Sequence, residues 1–327
     1  MTVRIDDVAK LAGVSKTTVS RVLNKRGYLS EKTIKKVYDA MEQLNYRPNV
    51  IARQLFKQET KMIGLIFPTL ANPFFGQMAS VISERLFEKG YRVLVGDALN
   101  DPNIERKYLQ DLLAHQVDGL IVGSHNTGIS EYDNSNMPII AIDRRVNNDI
   151  PIISSDNYNG GLMATELLIK NGARNIVHTN DPKSLVGPPQ NQERKRAYVD
   201  SMIEHGLKPI VYSIDPDLSD SKKRKIIMKI FKDNPNIDGM FISNDIDAAR
   251  VMDIAHNLGY KIPDDLKIVG YDGADVTRVM NPCLTTIVQP IDKMAEATVD
   301  MLMKRIKNPT YGHDKILPVK LWAGKSV

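Results

Sequence analysis

The sequence predicts an α/β fold: a small all-α head followed by a two-part core of parallel sheets wrapped by helices. Three observations lead there. Apolar residues in the first 47 positions recur at helical spacing and are punctuated by glycine. From Lys61 onward, short apolar runs alternate with longer amphipathic ones, the pattern of strands feeding crossover helices. The same alternation then occurs a second time in the same order, so two similar halves are expected.

With 327 residues and 42% apolar content the chain can bury more than one core. Cys283 is its only cysteine, which excludes an intrachain disulfide and a thiolate metal site and suits a reducing compartment. The start, MTVRIDDVAK, has acids where a secretion signal needs an apolar core, and no uncharged apolar run is long enough for a membrane span. A cytoplasmic protein is expected. Charge is informative once divided: residues 1–58 hold 12 of the 44 Lys/Arg and 5 of the 39 Asp/Glu, a balance of +7, and the rest of the chain carries −2. A basic module on a slightly acidic body suits a polyanion-binding head.

In the head, Ile5, Val8, Ala9 and Ala12 form a first apolar stripe that ends at Gly13, a residue able to close a helix in the left-handed conformation. VSKTTVSRVLN follows at once. Val19, Val22 and Leu23 give this second helix its apolar side, and Ser15 is placed to cap it. Its other face carries Lys16, Thr17, Thr18, Ser20, Arg21 and Asn24 and no acid. Two short helices joined through a glycine turn are the helix-turn-helix pattern, whose second helix enters the DNA major groove. Lys16, Thr17 and Arg21 are then aimed at base edges, and Ser15, Thr18, Ser20 and Asn24 at phosphates. An ordinary solvated surface helix is the competing reading. Ser30 caps a third helix whose buried face is Ile34, Val37, Met41 and Leu44.

The stretch YRPNVIARQLFKQET comes next. After Pro48, Asn49 to Lys57 form about two helical turns, too short to stand alone in water. Ala52 and Leu55 are three apart, and Arg53 and Lys57 supply charge. Paired in a dimer, two such hinge helices can enter a minor groove with Leu55 as a wedge. A flexible linker is the alternative.

In the body, MIGLIFP, RVLVGDA, DGLIVGS and PIIAID read as buried strands, with VISERLFEKG and ERKYLQDLLAHQ as helices between them. The order recurs from about residue 158, through NIVHT, PIVYSID, DGMFISND and LKIVGYDG. LTTIVQP, KMAEATVDMLMKRI and ILPVKLW add a strand, a helix and one final strand that crosses back to the first half. Two α/β halves imply a cleft, and ligands of open sheets sit at the carboxyl ends of strands. Asp143, Asn244-Asp245 and Asp272 stand at such ends. Together with Arg194 they suit a neutral, polyhydroxylated molecule. Phe74 and Phe75, in TLANPFFG, are either core residues or a ring surface for a sugar.

No phosphate-binding loop, dinucleotide glycine motif, HExxH or GxSxG occurs. The six histidines show no ligand spacing. Asp245 and Asp247 suggest a metal less than a helix start, where acids favour the dipole. No enzymatic role, cofactor or metal is expected. An exported sugar-binding protein would fit the body alone, but the cationic head opposes it.

The runs IDDVAKLAGVSKTTVSRVLN and LSEKTIKKVYDAMEQLNYRPNVIARQL closely resemble the head and hinge helix of the LacI/GalR family of bacterial transcriptional regulators, nearly gapless over residues 4–56. The body resembles that family's core, which has a periplasmic-binding-protein fold. The organisation expected is a helix-turn-helix domain over 1–47, a hinge helix over 48–58, and a core of two subdomains, 60–158 with 290–319 and 159–289 with 320–327. The resemblance implies that Lys16, Thr17 and Arg21 read bases, and that Asn49, Ala52, Arg53 and Leu55 lie in the hinge, Leu55 intercalating at the centre of a pseudo-palindromic operator. It also implies that Asn72, Phe74, Asp143, Arg194, Asn244, Asp272 and Gln289 line an effector site. Two departures stand out. Ala197 replaces the glycine of the family's Arg-x-x-Gly-aromatic pattern, which would displace the backbone beside Arg194. Asp215-Pro216-Asp217-Leu218 lacks an aromatic stacking wall.

The function implied is that of a homodimeric repressor released from operator DNA by a small-molecule sugar. The branch most resembled controls sucrose operons, so sucrose or its fructose moiety is the effector expected. A regulator activated by a phosphorylated carrier protein and a purine-type corepressor-dependent repressor remain as alternatives. No leucine heptads follow the last strand, so a dimer is expected rather than a coiled-coil tetramer.

Overall fold

The computed structural model describes residues 3–24, 26–47, 59–114, 117–123, 126, 128–133, 137–181 and 192–327. The expected hinge helix, with Asn49, Ala52, Arg53 and Leu55, lies outside the described residues. The chain divides into two compact units, Met1–Thr60 and Lys61–Val327.

In the first unit, α1 (Ile5–Ala12) closes on Gly13, whose φ of 67° lets the Val14 amide turn back to the Ala9 carbonyl at 3.0 Å. That turn leads into α2 (Lys16–Asn24), and α3 (Glu31–Gln43) follows, capped by Ser30. Val8, Ala9, Ala12, Val19, Val22, Val37 and Ala40 are buried together. Ile34, Met41 and Leu44, expected on the buried face of α3, are only partly covered, and Ala40 takes the inner position. An alanine there lets α3 approach closely, which sets the larger side chains at the rim.

The second unit holds two six-stranded sheets of matching order. In the first, β11 (Lys315–Leu317), β5 (Ile152–Ser155), β4 (Ile139–Ile142), β3 (Gly119–Val122), β1 (Met62–Phe67) and β2 (Arg92–Asp97) are neighbours in that order and all parallel. In the second the order is β12 (Lys320–Trp322), β10 (Thr285–Val288), β9 (Lys267–Asp272), β8 (Gly239–Phe241), β6 (Ile176–Asn180) and β7 (Ile210–Ser213), with only β12 antiparallel. Parallel strands need helical crossovers, and these cover both faces. The side chains of Ile63, Leu65 and Phe67 meet α4 (Pro73–Glu88) and α11 (Ile291–Lys307), while Ile66 and Leu120 meet α5 (Pro102–Ala114) on the opposite side. In the second sheet, α6 (Asn157–Lys170) and α7 (Gln192–Glu204) cover one face. The helices α8 (Asp220–Asp233) and α9 (Asp245–Asn257) cover the other, and a short α10 (Asp275–Met280) follows β9.

The chain crosses between the halves after β5, after β10 and after β11. The single final strand expected over ILPVKLW is two strands, β11 and β12, in different sheets. Pro318 lies between them; it has no N–H for a ladder, so pairing breaks there. The strand β5 was not legible in IISS, since four residues with two serines carry little apolar signal.

Val19 is fully buried in a head of fewer than 50 described residues. Val19→Ala is expected to cost the head about 2 kcal/mol through lost methyl burial and cavity. Calorimetry of the full chain checks this: the transition of the head should move down while that of the body stays.

Candidate functional site

On α2 the capping geometry accounts for part of the polar face. Ser15 Oγ accepts from the Thr18 amide at 3.1 Å and lies 2.9 Å from Thr18 Oγ1. Asn24 Nδ2 donates to the Ser20 carbonyl at 2.8 Å, so Thr18, Ser20 and Asn24 are half-buried. Lys16, Thr17 and Arg21 are exposed. Lys16 is not a free cation here: its Nζ donates to Asp6 Oδ2 on α1 at 3.1 Å. Both partners are exposed, so the pair is weak and a phosphate or guanine edge can replace the carboxylate.

A cavity of about 380 Å³ opens at the carboxyl ends of the two sheets, lined from both halves. Asn72, Phe74, Asp143, Arg194, Asn244, Asp272 and Gln289 all line it. They are not equally available. Asn72 Oδ1 accepts from the Phe74 amide at 2.9 Å as the cap of α4. Phe74 is 2% exposed and packs edge-on against Phe75 at 5.1 Å, which makes it mainly a core residue with one edge at the cavity. Asn244 is spent on capping α9: its Oδ1 accepts from the Asp247 amide and its Nδ2 donates to Asp247 Oδ2, both at 2.8 Å. Asp245, expected at the cleft, turns inward instead. Its carboxylate accepts from the Gly273 amide at 2.8 Å and from Thr286 Oγ1 at 2.6 Å. Asp245 and Asp247 therefore do not converge on a common point.

The centre of the site is Arg194, 8% exposed on α7. Its guanidinium lies 3.6 Å over the ring of Tyr271, Nε donates to Asn157 Oδ1 at 2.7 Å, and Nη1 donates to the Ser243 carbonyl at 3.0 Å. Asp143 Oδ2 is 3.7 Å from Nη2 and Asp272 Oδ1 is 3.9 Å from Nη1, too far for good hydrogen bonds. Both acids leave their strands with left-handed backbones, φ 56° at Asp143 and φ 105° at Asp272. Gly273 (φ 62°) completes the second turn, where a Cβ would stand 2.7 Å from Val288 Cα. Asp245 anchors that turn from below, and Gln289 Nε2 donates to Asp272 Oδ1 at 2.8 Å.

Burial raises the pKa of Asp143 and pushes Asp272 up to about 8, in spite of the guanidinium. A protonated Asp272 can both donate and accept, as a sugar hydroxyl does. His178, with Nδ1 2.9 Å from the Phe241 carbonyl, is driven down to about 3 by burial and stays neutral. Its Nε2 is buried and meets no hydrogen-bond partner among the described residues. On the far wall, Arg250 donates to Asp247 at 2.8 Å and to Asp220 at 2.7 Å, with Lys223 3.9 Å from Asp247.

Across from Ala197 stands Gly161, where a Cβ would come within 2.9 Å of the Ala197 methyl and 2.7 Å of the Arg194 carbonyl, so the small residue at 161 is what lets α6 and α7 approach closely beside Arg194. Ile214 and Pro216 form the wall that lacks an aromatic. Asn157, His178, Lys223 and Arg250 were not foreseen as parts of the site. A polar residue within the apolar run NIVHT was the only signal for His178, and none marked Asn157.

The raised pKa of Asp272 makes stability depend on pH. The unfolded chain releases this proton near pH 4 and the folded chain near 8, so stability is fully present below about 4 and is lost as pH rises through 8. Burial also raises Asp143, raises Asp245 to about 6 and lowers His178 to about 3; Asp272, at about 8, titrates above Asp245 and His178, so its own loss is read between about pH 6.5 and 8. Thermal melts are expected to show the body losing on the order of 1 kcal/mol across that interval, and Asp272→Asn is expected to flatten the loss.

Comparison with known proteins agrees with both units. Residues 4–49 match the family of bacterial regulatory proteins described as the lacI family, and residues 60–324 match the periplasmic binding proteins and sugar binding domain of the LacI family. The sucrose operon repressor of Streptococcus mutans is 43% identical over all of both chains. Among solved structures, the Lac repressor dimer bound to operator and the anti-inducer ONPF superposes with a TM-score of 0.87 at 27% identity, covering 100% of this chain and 99% of that one. A LacI transcriptional regulator from Alkaliphilus metalliredigens, complexed with D-xylulofuranose, superposes with a TM-score of 0.74 at 35% identity over 81% of this chain and 98% of its own. With a helix-turn-helix head and a duplicated parallel-sheet body both matched along their lengths, the chain belongs to the LacI family of bacterial regulatory proteins.

Proposed function

We propose that the protein is a cytoplasmic, homodimeric repressor of a sugar-utilisation operon, released from its operator by sucrose or its fructose moiety. The observation that carries the effector half is the cleft itself, where Arg194 stands beside Asp143 and Asp272 without being bonded to either. Its unspent N–H groups and the two carboxyls form a donor–acceptor set that suits a polyhydroxylated ligand. The likeness to sucrose operon repressors supports the choice of sugar.

On the DNA side, Lys16, Thr17 and Arg21 read base edges, while Ser15, Thr18, Ser20 and Asn24 fix register on phosphates. Asn49, Ala52, Arg53 and Leu55 carry the minor-groove contacts, with Leu55 as the wedge. Exposed apolar side chains support the dimer: Phe87 on α4, Leu94 and Val95 on β2, and Val276, Val279 and Met280 on α10. Sugar binds the closed arrangement of the two halves more tightly than the DNA-competent one, and that difference in affinity is what drives release. No catalytic step is assigned to the cleft.

Fluorescence anisotropy on a labelled pseudo-palindrome from upstream of its own gene tests both halves. Sucrose or fructose is expected to release the protein and purines are not; operator binding that no sugar weakens would remove the effector assignment. Arg21→Ala is expected to weaken operator binding by about 1–3 kcal/mol and to relax specificity at one base pair. A uniform loss across operators would reassign Arg21 to phosphate.

A further inference from the structure

Asn157 sits where the chain crosses from β5 into α6 and is 2% exposed. Its amide faces both halves at once. Nδ2 donates to Asp143 Oδ1 at 3.0 Å and to the Ser155 carbonyl at 3.3 Å. Oδ1 accepts from Arg194 Nε at 2.7 Å and from the Tyr271 hydroxyl at 3.1 Å, with Ser155 Oγ 3.4 Å away. Asp143 belongs to the first sheet, Arg194 and Tyr271 to the second half. A carboxamide offers a donor end and an acceptor end on one rigid plane at any pH; an ionised carboxylate accepts at both ends and an aliphatic chain does neither.

We infer that Asn157 is the positioning residue of the effector site, holding the Asp143 carboxylate of one half and the Arg194 guanidinium of the other apart and aimed at a shared ligand. The inference rests on the sugar reading of the cleft. Arg194 Nη2 and Asp143 Oδ2 are already 3.7 Å apart. Without the amide between them this loose ion pair would close into hydrogen-bonded contact, and both groups would be withdrawn from the ligand.

Asn157→Asp tests this through a property that packing alone does not confer. The new carboxylate would face Asp143, with Arg194, Tyr271 and Asp272 as the other charged or titratable groups around it. Two carboxylates at about 3 Å cannot both ionise, and one shared proton recreates the missing donor. Calorimetric titration of the full chain with sucrose and with fructose, at pH 6 and pH 8, is the measurement. Relative to the unaltered protein at the same pH, N157D is expected to bind sugar about tenfold more weakly at pH 8 and to recover to within about threefold at pH 6. N157L is expected to lose about tenfold at both, with the thermal transition of the body showing that each variant is folded. A pH-independent ratio for N157D, or undiminished affinity in N157L, overturns the inference. If N157D does not fold, N157S replaces it, since a hydroxyl cannot span Asp143 and Arg194; full sugar affinity in N157S overturns the inference equally. An unaltered protein that binds neither sugar removes the sugar reading as well, so the two failures are told apart.

Discussion

Burying a guanidinium next to two carboxyl groups without letting it bond to either is the constraint on which the cleft depends. Left alone, Arg194 would collapse onto Asp143 or Asp272 and repay its desolvation there. The fold prevents this from three sides. Tyr271 supports the flat face of the group, Asn157 and the Ser243 carbonyl take two of its N–H donors, and left-handed turns hold the acids at their distances. The remaining donors and acceptors are thus ordered before any ligand arrives, which reduces the entropy lost on binding. Burial also weakens the acidity of both carboxyls, so the site presents less charge than its composition suggests.

The turns that hold the acids are maintained from beneath. Asp245, buried and satisfied by Gly273 and Thr286, ties the end of β9 to the start of α9 and to β10. Gln289 braces Asp272 while its own Oε1 accepts from Ser155 Oγ at 2.7 Å, joining the first half to the second. Buried hydrogen bonds therefore set the position of Asp272 at the cavity wall.

Much of this was legible in the sequence, and the limits are physical. Helical spacing, the Gly13 turn and the segregated charge gave the head. Alternating runs gave the duplicated sheets, because parallel strands buried on both faces must be continuously apolar. Asp143 and Asp272 were readable since a polar residue ending an apolar strand has few other reasons to be there. Asp245 looked equivalent by the same criterion, and only the course of the backbone after β9 turns it inward. Asn157 was silent because its worth lies in three partners distant in sequence, Asp143, Arg194 and Tyr271. The close approach of Ala197 to Gly161 was equally silent, because helix contact depends on the pair and a pair cannot be read from one position.

The three separate crossings between the halves bear on mechanics. A single tether would let one half swing, twist and slide against the other; three connections, tied to one another through Asp156 to Leu317 and Ser155 to Gln289, restrict twist and slide. Cleft width is then close to one coordinate. A ligand touching any part of the walls reports through the same displacement, and the molecule converts the chemistry of binding into a single mechanical quantity.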